Sequence, residues 1–136
     1  MSTELSACLT FDFDAMSPWV AGMGAGPAAI SRGEFGAFAI PRILELLARY
    51  EIRSTFFVPG HTALAYPDLV RRIQDEGHEL GHHGWVHESL VGLHPGRERE
   101  IFARGLEALG EVAGVRPVGY RAPSAEFSSN TVEILL

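Results

Sequence analysis

With 136 residues, 46% of them hydrophobic and 21% charged, the chain is long enough for one domain with a real core. Its net charge is −6 and its 11 basic residues are all scattered arginines, which excludes a basic block for nucleic acid or an anionic membrane surface. No apolar run approaches the ~20 residues of a membrane span, and no basic segment precedes a hydrophobic one at the start, so a cytoplasmic protein is expected.

Ala7 to Phe13 is a short apolar run and reads as a buried strand. Cys8, the only cysteine, lies inside it, so it forms no internal disulfide and is expected to be a buried, inert thiol. Residues 14 to 36 are rich in Gly and small side chains and read as a long loop. Pro41 to Tyr50 has apolar residues at helical spacing, with Pro41 in the first turn. Arg53 to Val58 is a second strand, stopped by Pro59-Gly60. Pro67 to Glu76 is a second helix ended by Gly77, and His78 to His82 a third strand. Arg97 to Val112 is a longer amphipathic helix and Pro117 to Arg121 a fourth short strand. Ser128 or Ser129 caps a last helix running into Leu136. Strands alternating with helices argue for an α/β fold with parallel strands and right-handed crossovers.

In such architectures, sites gather at the carboxyl ends of strands. Asp12 and Asp14 close the first strand and, at period 2, project to one side. Two close carboxylates repel, and a cation beside them relieves the repulsion. The bland alternative is a strand-end pair capping a turn. His83 and His87 are spaced i, i+4, which in a helical turn brings both rings to one side. His78 and His82 share that spacing, so the spacing alone carries little. Two His and one Asp would leave positions open for water and substrate, the mark of a catalytic metal site, and a spare Asp would serve as base. The N/O set suits Zn²⁺, and equally Co²⁺, Mn²⁺ or Fe²⁺. Arg121 closes the fourth strand, where a guanidinium orients a carboxylate; the alternative is a surface Arg before a turn Pro. The glycines at 22, 24 and 26 neither follow a strand directly nor open a helix, which argues against a nucleotide loop. Trp19, Phe35 and Trp85 line a pocket or pack in the core.

Taken together, Thr10-Phe11-Asp12-Phe13-Asp14, His83-Gly84-Trp85-Val86-His87 and Tyr120-Arg121-Ala122-Pro123 resemble three ordered motifs of the polysaccharide deacetylase family of carbohydrate esterases. Thr55 to Gly60 and Gly77 to Gly81 resemble its intervening wording, so the resemblance covers nearly the whole chain. It implies the N-terminal part of a distorted (β/α)₇ barrel. It implies Asp12 as catalytic base, Asp14, His83 and His87 as ligands of a divalent metal, and Arg121 as the residue holding the base. It also implies the Ser124 amide as an oxyanion donor, and His82 as a supporting or structural residue. The reaction implied is hydrolysis of a non-peptide C–N bond, N-deacetylation of a glycan.

The family's later motifs, an acidic residue and a Leu-His pair supplying the general acid, have no counterpart in this sequence. Residues 1 to 136 therefore read as the N-terminal portion of one catalytic domain. The Asp-Phe-Asp form and the segment Ser31 to Gly36 resemble a cytoplasmic subgroup that includes allantoinase-like and cyclic-imide hydrolases. The substrate is thus left open between a glycan and a small cyclic amide or allantoin, and a homo-oligomer is left open too. Two readings of another class are an inactive fragment and a non-catalytic metal- or sugar-binding member of the fold.

Overall fold

The computed structural model describes residues 5–22 and 27–136, without the side chains of residues 27–32. The glycines at 24 and 26 lie outside the described residues. A parallel three-stranded sheet, ordered β1-β2-β3, is built from β1 (Thr10–Asp12), β2 (Thr55–Val58) and β3 (Glu79–His82). Helices α1 (Ser17–Val20), α2 (Pro27–Arg49), α3 (Gly60–Ala65), α4 (Pro67–Asp75), α5 (Pro95–Ala113) and α6 (Thr131–Leu135) connect and flank the strands. Among the described residues no helix is long and apolar enough to cross a membrane.

The strand register explains which face each side chain takes. Phe11 pairs with Phe56 and Phe56 with Leu80; Phe56, Val58 and Leu80 are buried beneath the helices. They join Phe13, Leu44, Val70, Ile73 and Leu109 in the main core. Full burial of each large apolar side chain stabilises the fold by about 1.5–3 kcal/mol. Asp12 pairs with Phe57 and Phe57 with Gly81, one residue out of phase, so these three point to the opposite face.

Several expectations are corrected. Residues 14 to 36 are not one long loop, because α1 and the first turns of α2 fall within them. Helix α2 starts at Pro27 rather than Pro41, and Pro41 sits inside it. The packing face runs through Gly33, Ile40, Leu44 and Leu47, so glycine that reads as loop is here a contact surface. A Cβ on Gly33 would lie 2.0 Å from the Met16 sulfur. Pro59-Gly60 does not end an element but begins α3. Strand β1 starts only at Thr10, so Cys8 precedes the sheet edge and is exposed, not buried. The fourth strand shrinks to one parallel bridge between His82 and Tyr120, in which His82 N–H donates to Gly119 O and Arg121 N–H to His82 O. Asn130, not a serine, occupies the N-cap position of α6 without a side-chain capping bond, and the Ser128 hydroxyl accepts the Asn130 N–H at 2.9 Å.

Helix α5 begins behind Pro95, where His94 Nδ1 accepts the Gly96 N–H at 3.1 Å, and ends at Gly114 with φ 68°. Its Gly105 faces the end of β3. A Cβ there would meet His82 Nε2 at 2.2 Å and the Gly84 carbonyl at 2.8 Å. A Cβ on Gly60 would in turn meet Gly105 Cα and the Trp85 ring, both at 2.8 Å, so α3 and α5 approach backbone to backbone.

Candidate metal centre

Asp12 ends β1 with Asp14 two residues beyond it, and His83 directly follows β3. The period-2 alternation that puts Asp12 on the inner face carries on to Asp14, and the parallel register puts His83 on the same face. His82, one residue earlier, points the other way. It stacks on Phe102 with ring centroids 5.3 Å apart, and burial pushes its imidazole down to about 4.

The structure brings five of the six expected residues together. Asp14 Oδ1 lies 3.5 Å from His83 Nε2, and Asp14 Oδ2 lies 3.8 Å from His87 Nε2. The ligand atoms of Asp14, His83 and His87 all fall within 4.8 Å of one another. Asp12 Oδ2 is 4.0 Å from His83 Nε2. The Arg121 guanidinium donates to Asp12 Oδ1 at 2.5 Å and to Thr10 Oγ1 at 2.6 Å, and lies 4.2 Å above the Phe57 ring. The Arg121 carbonyl accepts from His83 Nδ1 at 2.7 Å. That bond places the His83 proton on Nδ1 and leaves Nε2 a lone pair aimed at Asp14. Ser124 is exposed, with φ 57°, and no hydrogen bond joins it to the others among the described residues.

The donor set fits a divalent cation. Asp14 Oδ1 and His83 Nε2, which face each other, are buried and have no hydrogen-bond partner, whereas buried polar atoms are normally paired. Burial raises the Asp14 carboxyl above its ordinary range, against the pull of His87 and His83 and with the push of Asp12. Burial also lowers the His83 imidazole, opposed by the Arg121 carbonyl and the two aspartates. A cation here compensates the buried carboxylate and takes up the lone pair of the neutral ring.

The two histidines do not meet through a helix. Residues 83–87 carry no helix, and both Gly84 (φ 78°) and His87 (φ 62°) are left-handed. Glu88, which sequence reasoning passed over, accepts the N–H groups of Trp85 and Val86 within this turn. Trp19 and Phe35 do line a cavity, together with Asp12 and Asp14, whereas Trp85 stacks under Arg104 at 4.1 Å.

A sheet-end cluster of this composition in a parallel α/β fold defines a candidate metal centre. The sequence profile of the family described as Polysaccharide deacetylase matches residues 5–136, and the chain belongs to that family. A peptidoglycan deacetylase of Helicobacter pylori is 36% identical over all of this chain and 47% of its own length. The crystal structure of a Mycobacterium smegmatis protein assigned as a polysaccharide deacetylase is 45% identical, with a TM-score of 0.88 over 94% of this chain and 46% of that one. A family 4 acetyl xylan esterase from Clostridium thermocellum, solved in complex with a cobalt ion, is 25% identical with a TM-score of 0.69, covering 93% of this chain and 53% of that one. The chain spans about half the length of the relatives it matches. The α/β fold with its parallel sheet is that of these deacetylase structures, as expected from the sequence.

Proposed function

We propose that the protein carrying this chain hydrolyses the N-acetyl C–N bond of a glycan, with Asp14, His83 and His87 holding a divalent cation and Asp12 acting as general base. The observation that carries this reading is the approach of Asp14 Oδ1 to His83 Nε2, 3.5 Å apart, both buried and otherwise unpartnered. Membership of the family and the likeness to a peptidoglycan deacetylase support the substrate class. Zn²⁺ heads the cations that suit these donors, with Co²⁺, Mn²⁺ and Fe²⁺; the cobalt of the esterase structure is in keeping with this set.

When bound, a divalent cation would lower the pKa of water and polarise the amide oxygen. Asp12 takes the proton of the attacking water. Arg121 fixes its Oδ1, leaving Oδ2, on the His83 side, as the accepting oxygen. Arg121 therefore orients the base, and its carbonyl orients His83. In this reading the Ser124 amide donates to the developing oxyanion.

One observation favours a second substrate class. A cavity of about 250 Å³ beside Asp12 and Asp14 is walled by Phe11, Phe13, Trp19 and Phe35, which suits a compact ring such as a cyclic imide or allantoin. Metal content and turnover of the purified protein test both readings, with N-acetylglucosamine oligomers, peptidoglycan, a cyclic imide and allantoin as substrates. Release of acetate from the glycans is expected. Turnover of the cyclic amides alone replaces the first substrate class with the second, and a metal-free protein active on neither overturns the hydrolase reading.

A further inference from the structure

The pair His83 and His87 presents a geometric problem that the backbone alone does not solve. Left-handed residues at 84 and 87 turn the chain away from any helix, so the helical i, i+4 relation cannot align the rings. The carbonyl side of the turn is held by the start of α3: Gly60 N–H donates to Gly84 O at 3.1 Å and His61 N–H to Trp85 O at 2.9 Å. On the amide side, Trp85 N–H and Val86 N–H both donate to one oxygen, Glu88 Oε2, at 3.1 and 2.7 Å. Glu88 directly follows His87, so its carboxylate folds back over the turn and closes the segment that contains the ring. The same oxygen lies 3.3 Å from the position a Cβ on residue 84 would take, which ties the clamp to Gly84 as well. Glu88 is not in the group of ligand atoms formed by Asp14, His83 and His87.

We propose that Glu88 is a positioning residue for the cation site: by accepting the Trp85 and Val86 amides on one oxygen, it holds the left-handed turn that aims His87 at Asp14. The proposal rests on the metal reading above. Because a single oxygen takes both bonds, the negative charge is not what the turn requires. A glutamine amide oxygen accepts the same two donors, and an alanine accepts neither.

The test is Co²⁺ titration of the purified wild-type protein, Glu88→Gln, Glu88→Ala and Glu88→Met, followed by calorimetry and visible absorption, with folding checked by circular dichroism. Amide hydrogen exchange at Trp85 and Val86 is measured on the same four proteins. Glu88→Gln is expected to bind Co²⁺ within about threefold of wild type, and Glu88→Ala at least tenfold more weakly, with faster exchange at both amides. Glu88→Met keeps the side-chain length without an oxygen and repeats the comparison where Glu88→Ala does not fold. Unchanged affinity in Glu88→Ala or Glu88→Met overturns the proposal, as does a Glu88→Gln protein as weak as Glu88→Ala. Wild-type protein that binds no Co²⁺ overturns the metal reading instead; the clamp is then judged by exchange alone and falls if Trp85 and Val86 exchange alike in all four proteins.

Discussion

Arg121 holds His83 by its backbone and not by its side chain: its carbonyl accepts the His83 Nδ1 proton at 2.7 Å, while its guanidinium reaches away to Asp12. One residue thus orients two groups of different chemistry, the His83 ring, whose Nε2 it leaves unprotonated, and the Asp12 carboxylate. The two functions separate by mutation, because a side-chain substitution leaves the carbonyl in place.

Arg121→Ala is therefore expected to bind metal nearly as wild type while its kcat falls by roughly ten- to a hundredfold, the scale of a misplaced catalytic group. Metal titration and steady-state kinetics on the same preparation check this. Loss of metal together with activity would mean that the guanidinium supports the ligands as well.

Cation affinity is expected to fall on acidification. Burial raises Asp14, so its proton competes with the cation at a higher pH than for an ordinary carboxyl. His83, lowered by burial, is already neutral near pH 7 and becomes a competitor only at lower pH. Calorimetric titration between pH 7.5 and 5 measures the trend, and a flat affinity over that range would remove Asp14 as a ligand.

Acid destabilisation is expected from His82, independently of any metal. Its folded value of about 4 lies below the ordinary 6.5, so the unfolded chain takes up the proton first as pH falls. The stability contributed by the neutral buried ring is complete above pH 6.5. It is lost downward through that window at up to about 1.4 kcal/mol per pH unit. Chelator-treated protein melted at pH 7, 5.5 and 4.5 gives the slope, and a Tm independent of pH would contradict it.

Gly105→Ala is expected to destabilise the fold by about 1–3 kcal/mol through overpacking. The added methyl meets His82 Nε2 at 2.2 Å and the Gly84 carbonyl at 2.8 Å. Denaturant titration reads the change, and a variant as stable as wild type would mean that α5 shifts freely away from β3.

The sequence made the strand ends legible because short apolar runs stop at or beside Asp12, Val58 and His82, where the candidate site begins. It hid the first half of α2, since glycines at 33 and 36 read as loop when their lack of a side chain serves close packing against residues 15 and 16. It hid α3 for a similar reason, as Pro59-Gly60 is both a strand stop and a helix start. The spacing of His83 and His87 suggested a helical turn, yet the two rings meet through left-handed backbone at 84 and 87, which is not written in residue spacing. Glu88 left no signal of its own, and only its two amide partners reveal it.

The central claim, that Asp14, His83 and His87 hold a cation beside a separate base Asp12, is tested most directly by Co²⁺ titration of Asp12→Asn and His83→Ala beside wild type, with turnover measured on each. The account predicts one equivalent bound by wild type and by Asp12→Asn, turnover lowered at least about a hundredfold in Asp12→Asn, and no stoichiometric binding by His83→Ala. Binding by His83→Ala equal to wild type, or full turnover by Asp12→Asn, would contradict it.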